Sequence, residues 1–293
     1  MTVQLASTDK PSVVAKALSA IGDISTLPEV TVKIIEIVED PKSTARDLHQ
    51  VIKTDPALSA KVLKVVNSAF YGLPGQIGTV DRAIVLLGMS AVKNIAVAAS
   101  IARMFKTGQM SEQFSARDLW RHSVAVAVAA RLIAKASGQP AGHDEMFLAG
   151  LIHDIGILVE RQAFPEKLSD VIARCARGEG TFIELEQRII GADHQAFGEG
   201  LTTKWKFPRH LRAAVGFHHN PETLSDELKK LGFTIYAADI LCCRQKLGFY
   251  QTSEGVEMTP ELYEAAGITP EQFEEISEAL VQELDDAEGM LIG

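Results

Sequence analysis

Ser115-Ala-Arg-Asp-Leu-Trp-Arg-His-Ser-Val-Ala-Val-Ala-Val-Ala-Ala-Arg-Leu-Ile-Ala-Lys-Ala-Ser137 decides the fold class. Ser115 followed three residues later by Asp118 is a capping-box-like start, in which a hydroxyl and a carboxylate satisfy the unpaired amides of a first helical turn. The segment then reads as one long helix to about Ser137. The same signals recur along the chain. Asp55-Pro56 places an N-cap before a proline at the first helical position, and Leu58, Val62, Leu63 and Val66 repeat at helical spacing. Ser90 opens a further helix to about Phe105, Thr181 with Glu184 repeats the capping box, and Gly138, Gly178 and Gly191 read as stops. Period-2 runs of β-branched residues are few. The expectation is an all-α protein.

The chain has 293 residues, 46% of them hydrophobic, enough for two domains or one large one. Between Met104 and Ser115 the polar run Lys-Thr-Gly-Gln-Met-Ser-Glu-Gln-Phe marks a boundary between two helical lobes, residues 1–110 and 111–293. Thr259-Pro-Glu and Thr269-Pro-Glu echo each other only as two ordinary helix starts. With 29 Lys and Arg against 38 Asp and Glu, the formal charge is −9, which disfavours global capture of nucleic acid or an anionic membrane. The longest apolar stretches are cut by Lys93, Arg103, Arg131 and Lys135, so no membrane span is expected. A terminus without a secretory pattern and three cysteines, Cys175, Cys242 and Cys243, point to a reducing cytoplasm without disulfides.

Function has to be sought among the histidines. His122 and His194 lie on apolar helices, His153-Asp154 are adjacent in Ala-Gly-Leu-Ile-His-Asp-Ile-Gly, and His218-His219 stand at a helix end. A single buried histidine is usually structural, but several imidazoles and carboxylates on neighbouring helices form a site for divalent Fe, Mn, Ni, Co or Zn.

The order His122, His153-Asp154, His194, His218-His219 and Asp239 resembles the motif of the HD superfamily of metal-dependent phosphohydrolases. The first lobe narrows this. Leu27-Pro28-Glu29, Asp55-Pro56-Ala57-Leu58, the run from Lys61 to Asn67-Ser68-Ala69-Phe70-Tyr71-Gly72, and Ala83 to Gly88 look like the HDOD family of bacterial signalling proteins. The resemblance implies an N-terminal helical lobe packed on an HD-like helical lobe that holds one or two divalent ions. It implies a core set of His122, His153, Asp154 and Asp239, with His194, His218 and His219 serving a second metal or the substrate. Asp154 is the candidate to ligate or bridge two ions, and the catalytic residue if the site is active. Adjacent residues on a helix point about 100° apart, which would turn one of His218 and His219 elsewhere.

Two departures weigh against hydrolysis. Ile157 stands where many active relatives carry a lysine, and Asn-Pro-Glu-Thr follows His219 with no Gly-Tyr-Pro. The expected function is therefore signal transduction through contact with a regulatory protein partner, with little or no hydrolysis. The alternative is a metal-dependent phosphohydrolase of a nucleotide or other phosphoester. Lys204, Lys206, Arg209 and Arg212, interleaved with Trp205 and Phe207, are the candidates for a nucleotide's phosphates, although the aromatics also read as lobe packing.

Overall fold

The computed structural model describes residues 10–22, 27–40, 42–68, 71–105, 108–138 and 143–292. Its helices are α1 (Lys10–Ala20), α2 (Glu29–Glu39), α3 (Ala45–Ile52), α4 (Pro56–Val66), α5 (Val80–Leu87), α6 (Met89–Ile101), α7 (Ala116–Ala136), α8 (His143–Ile152) and α9 (Ile155–Ala163). They continue as α10 (Pro165–Ala176), α11 (Phe182–Ile189), α12 (His194–Lys204), α13 (Arg209–Phe217), α14 (Asp226–Arg244), α15 (Pro260–Ala266) and α16 (Pro270–Ile292). The described residues contain no β-strand, only an isolated bridge between Gln109 and Ser115. The all-α expectation holds.

Local chemistry accounts for the helix ends. Both capping boxes form, Ser115 with Asp118 and Thr181 with Glu184, and Asp55 accepts from the Leu58 amide ahead of Pro56. Gly138, Gly178 and Gly191 take positive φ just past α7, α10 and α11. The start at Ser90 is displaced. α6 begins at Met89 because Gly88, at φ 87°, joins it directly to α5, and a 3₁₀ turn at Ala102–Phe105 replaces its expected last turn.

In the first lobe α2, α3, α4 and α5 surround α6, which is buried from Ala91 to Ile101. Asn67 explains one motif there. Its side chain donates to the Leu63 and Ile77 carbonyls, both at 2.8 Å, and accepts from the Ile77 amide at 2.6 Å, pinning the following loop to the end of α4. Ala69 and Phe70 of the same motif lie outside the described residues.

α7 is the axis of the second lobe, buried against α8, α14 and α16. α6 packs on α8. Of the residues before position 110, α1 lies against α9 and α12 of the second lobe, tied by Lys10 to Asp193 at 3.4 Å and by Lys204 to the Leu18 carbonyl at 3.3 Å. No helix among the described residues is long and apolar enough to cross a membrane.

Candidate metal centre

Close backbone crossings bring the histidines together. Gly150 of α8 sits against α7, where an added Cβ would stand 2.8 Å from the Ala127 Cα. Gly156 of α9 meets α12 still more closely, with 1.9 Å left between such a Cβ and the His194 carbonyl oxygen. His153 and Asp154, at the joint between α8 and α9, are thereby pressed between His122 of α7 and His194 of α12. Asp239 enters from α14, and His218 and His219 from the end of α13. The segment from Leu247 to Ser253 closes the remaining side, with Gly248 at φ 70° resting on the Asp118 carbonyl.

Asp154 sits at the middle with one oxygen for each half. Oδ2 lies 3.3 Å from His153 Nε2 and 3.6 Å from His122 Nε2, while Oδ1 lies 3.4 Å from the Nε2 atoms of both His194 and His218. Asp239 Oδ1 completes the first half, 3.0 Å from His122 Nε2 and 3.9 Å from His153 Nε2. In the second half His194 Nε2 is 3.3 Å from His218 Nε2 and 3.1 Å from His219 Nε2. The expectation that one of His218 and His219 would turn away is overturned. His218 caps α13 with its backbone still helical, at φ −65° and ψ −25°, yet both rings face inward, with centroids 4.2 Å apart and both Nε2 atoms against His194 Nε2.

The outer partners aim every ring. Nδ1 of His122, His153 and His218 faces the carbonyl oxygens of Leu247, Gly150 and Val215 at 3.3, 2.7 and 3.0 Å. His194 Nδ1 faces both Glu186 oxygens at 2.9 Å, and His219 Nδ1 lies 3.4 Å from Ser253 Oγ. A neutral imidazole that donates through Nδ1 presents a lone pair at Nε2. Several lone pairs and two carboxylates therefore face one another in a dry interior.

That arrangement fits a cation. Both Asp154 oxygens and the Nε2 atoms of His122 and His153 are buried without a hydrogen-bond partner among the described residues, a costly state for polar atoms unless an ion satisfies them. Imidazole nitrogen and carboxylate oxygen suit divalent first-row metals. Burial opposes the charge of Asp154, yet His153, His218 and His194 hold its carboxyl well below the usual carboxylate range. Burial, then the neighbouring His218 and His194, holds His219 well below the ordinary imidazole value, which keeps a lone pair available.

All seven histidines and aspartates singled out in the sequence meet here. The four cations do not. Arg209 starts α13 and His218 follows its end, which puts them about 13 Å apart at 1.5 Å per residue. Arg209 pairs with Glu227 and Lys204 reaches α1, while Trp205 and Phe207 are buried as packing. Ile157 is fully buried. Sequence reading missed Glu186 behind His194, Glu160 beside Glu186, and Thr252, Ser253 and Cys243 around Asp239. A glutamate inside a helix and a Thr-Ser pair in a loop carry no local mark of such a role.

Comparison with known proteins agrees with this architecture. The HDOD domain model matches residues 24–221. An HDOD domain protein of unknown function from Geobacter sulfurreducens superposes with a TM-score of 0.79 at 21% identity, covering 96% of this chain and 98% of its own. A "putative phosphohydrolase" from Shewanella amazonensis SB2B gives 0.72 at 24% identity, covering 96% and 98%. A "putative signal transduction protein" from Marinobacter aquaeolei VT8 gives 0.77 at 22%, covering 97% of this chain and 66% of that one. An uncharacterized protein of Treponema pallidum (strain Nichols) is 26% identical over 233 residues, 80% of this chain and 45% of the relative, so the chain spans under half of that protein. With residues 24–110 and most of its histidine cluster inside the matched region, the chain belongs to the HDOD domain family.

Proposed function

We propose that this HDOD protein is a signalling module that holds divalent metal in its buried centre and acts through contact with a regulatory protein, with little or no hydrolysis. The observation that carries this reading is enclosure. The side chains of His122, His153, Asp154, His194, His218 and Asp239 have no exposed surface, and that of His219 is 4% exposed. Donors this deeply buried present almost no surface to a phosphoester in solvent.

One ion would be held by His122, His153, Asp154 and Asp239, and a second by Asp154, His194, His218 and His219. Bound divalent ions supply Lewis acidity toward a phosphoryl oxygen and lower the pKa of a water. This chain's own residues do less than a hydrolase needs. Asp154 bridges the halves and the Nδ1 contacts orient the rings, but buried Ile157 can neither grip a phosphate nor donate a proton. What the centre does well is tie α7, the α8–α9 joint, α12, α13 and α14 together, so ion binding stabilises the arrangement that a partner would read.

The test is elemental analysis of untagged, chelator-free protein for Fe, Mn, Ni, Co and Zn, followed by a phosphoester panel with the metal found. One or two equivalents per chain are expected, with turnover below about 1 per second. Faster turnover of a physiological phosphoester, abolished in a folded Asp154→Ala variant, would establish the phosphohydrolase reading that the complete donor set favours. A folded protein that neither contains nor takes up metal would reduce the motif to packing.

A further inference from the structure

Four of the five imidazoles in the centre are aimed by weak or neutral groups. His122, His153 and His218 face backbone carbonyls through Nδ1, and His219 faces the Ser253 hydroxyl. His194 differs, because its Nδ1 lies 2.9 Å from each oxygen of Glu186. Both side chains are fully buried. Glu186 belongs to α11, which contributes no member of the seven-residue cluster, and it reaches His194 across the turn that joins α11 to α12. A carboxylate on the far nitrogen fixes the tautomer, locks the ring plane and raises the basicity of the nitrogen that faces the metal. A carbonyl does the first two and less of the third.

Resting on the metal-centre reading above, we propose that Glu186 is the positioning residue of the second half-site and makes the two halves unequal. The ion held by Asp154 Oδ1, His194, His218 and His219 depends on Glu186, while the ion held by His122, His153, Asp154 Oδ2 and Asp239 does not. One carboxylate thus sets the affinity for the second ion without setting that for the first.

The experiment is titration of the full chain with Co²⁺ alone, followed by calorimetry and visible absorption, for the wild type, Glu186→Gln and Glu160→Gln. Glutamine keeps the shape of Glu186 and an acceptor for His194 Nδ1 but is a weaker acceptor and cannot take up its proton. Two equivalents are expected for the wild type. Glu186→Gln should keep the first affinity and weaken the second by about 10- to 100-fold. Glu160→Gln changes the neighbour of Glu186 without touching His194, and it should leave the first affinity unchanged and weaken the second less than Glu186→Gln does. Equal loss of both ions in Glu186→Gln, or of neither, overturns the inference, whereas a wild type that binds no Co²⁺ overturns the metal-centre reading instead. If Glu186→Gln does not fold, the Zn²⁺-loaded wild type decides. Its His194 Nδ1 proton, donated to a carboxylate, should resonate downfield of the other imidazole N–H protons, and a shift within their range overturns the inference.

Discussion

Gly156 crosses α12 so closely that a Cβ built on it would stand 1.9 Å from the carbonyl oxygen of His194, and 2.7 Å from the Gly198 nitrogen. Both obstacles are backbone, so neither can rotate aside. This crossing sets the spacing between Asp154, which stands at the N-cap of α9, and His194, the first residue of α12. Gly156→Ala is expected to destabilise the protein by about 3 kcal/mol or more, at the upper end of overpacking costs. Urea denaturation measures this. Any folded fraction should also bind less metal through the second half-site, since separating α9 from α12 draws Asp154 Oδ1 away from His194.

Asp154 and Asp239 should separate in a metal assay. Asp154 offers an oxygen to each half, and Asp239 Oδ1 lies by the first half only, 3.0 Å from His122 Nε2. Asp154→Asn is expected to lose both ions, and Asp239→Asn chiefly the first. Metal content after dialysis, with circular dichroism to confirm the fold, checks this. Equal losses in the two variants would contradict the division of the centre.

Glu160 and Glu186 stand side by side in the interior, and burial followed by the charge of Glu186 raises the Glu160 carboxyl well above its usual value. A folded pKa above the unfolded one means that the native state holds more protons once the unfolded glutamate has ionised, so stability falls as pH rises above about 4.5. Glu160→Gln removes that proton balance. The metal-free variant should melt at a higher temperature than the metal-free parent at pH 8, with the gap narrowing toward pH 5. A melting curve whose gap is independent of pH would sink this account.

Asp193 and Lys10 form an ion pair at 3.4 Å, but the two partners do not matter equally. The lysine side chain is 51% exposed, and such a surface partner contributes about 0–1 kcal/mol. Asp193 is nearly buried, caps α12 through the Ala196 amide at 3.0 Å and accepts from Gln187 at 2.7 Å. Asp193→Ala should cost about 1–2 kcal/mol in chemical denaturation, and Lys10→Ala less than about 1 kcal/mol. Because the cap begins the helix that starts with His194, the aspartate variant should also weaken the second ion.

Much of the molecule was legible because its signals are local. A hydroxyl three residues before a carboxylate, a proline at the first helical position and a glycine past the last turn act over one turn of backbone, and Ser115, Thr181, Pro56 and Gly138 did what those rules require. The seven members of the centre were legible by type and order. Their outer partners were not, because Glu186 resembles any helical glutamate until the fold sets it 2.9 Å from an imidazole.

Sequence alone determined the helical class and the ends of several helices, because these depend on nearest neighbours and on residue chemistry, and its resemblance to the HD superfamily named the inward-facing donors. Tertiary structure alone decided which oxygen of Asp154 serves which half, that His218 and His219 both turn inward, that Arg209 stays at the outer end of α13, and that α1 rests on the second lobe. Those outcomes rest on backbone crossings at Gly150 and Gly156 and on contacts between residues far apart in the chain. Close packing is a property of the assembled helices, and no single helix carries it.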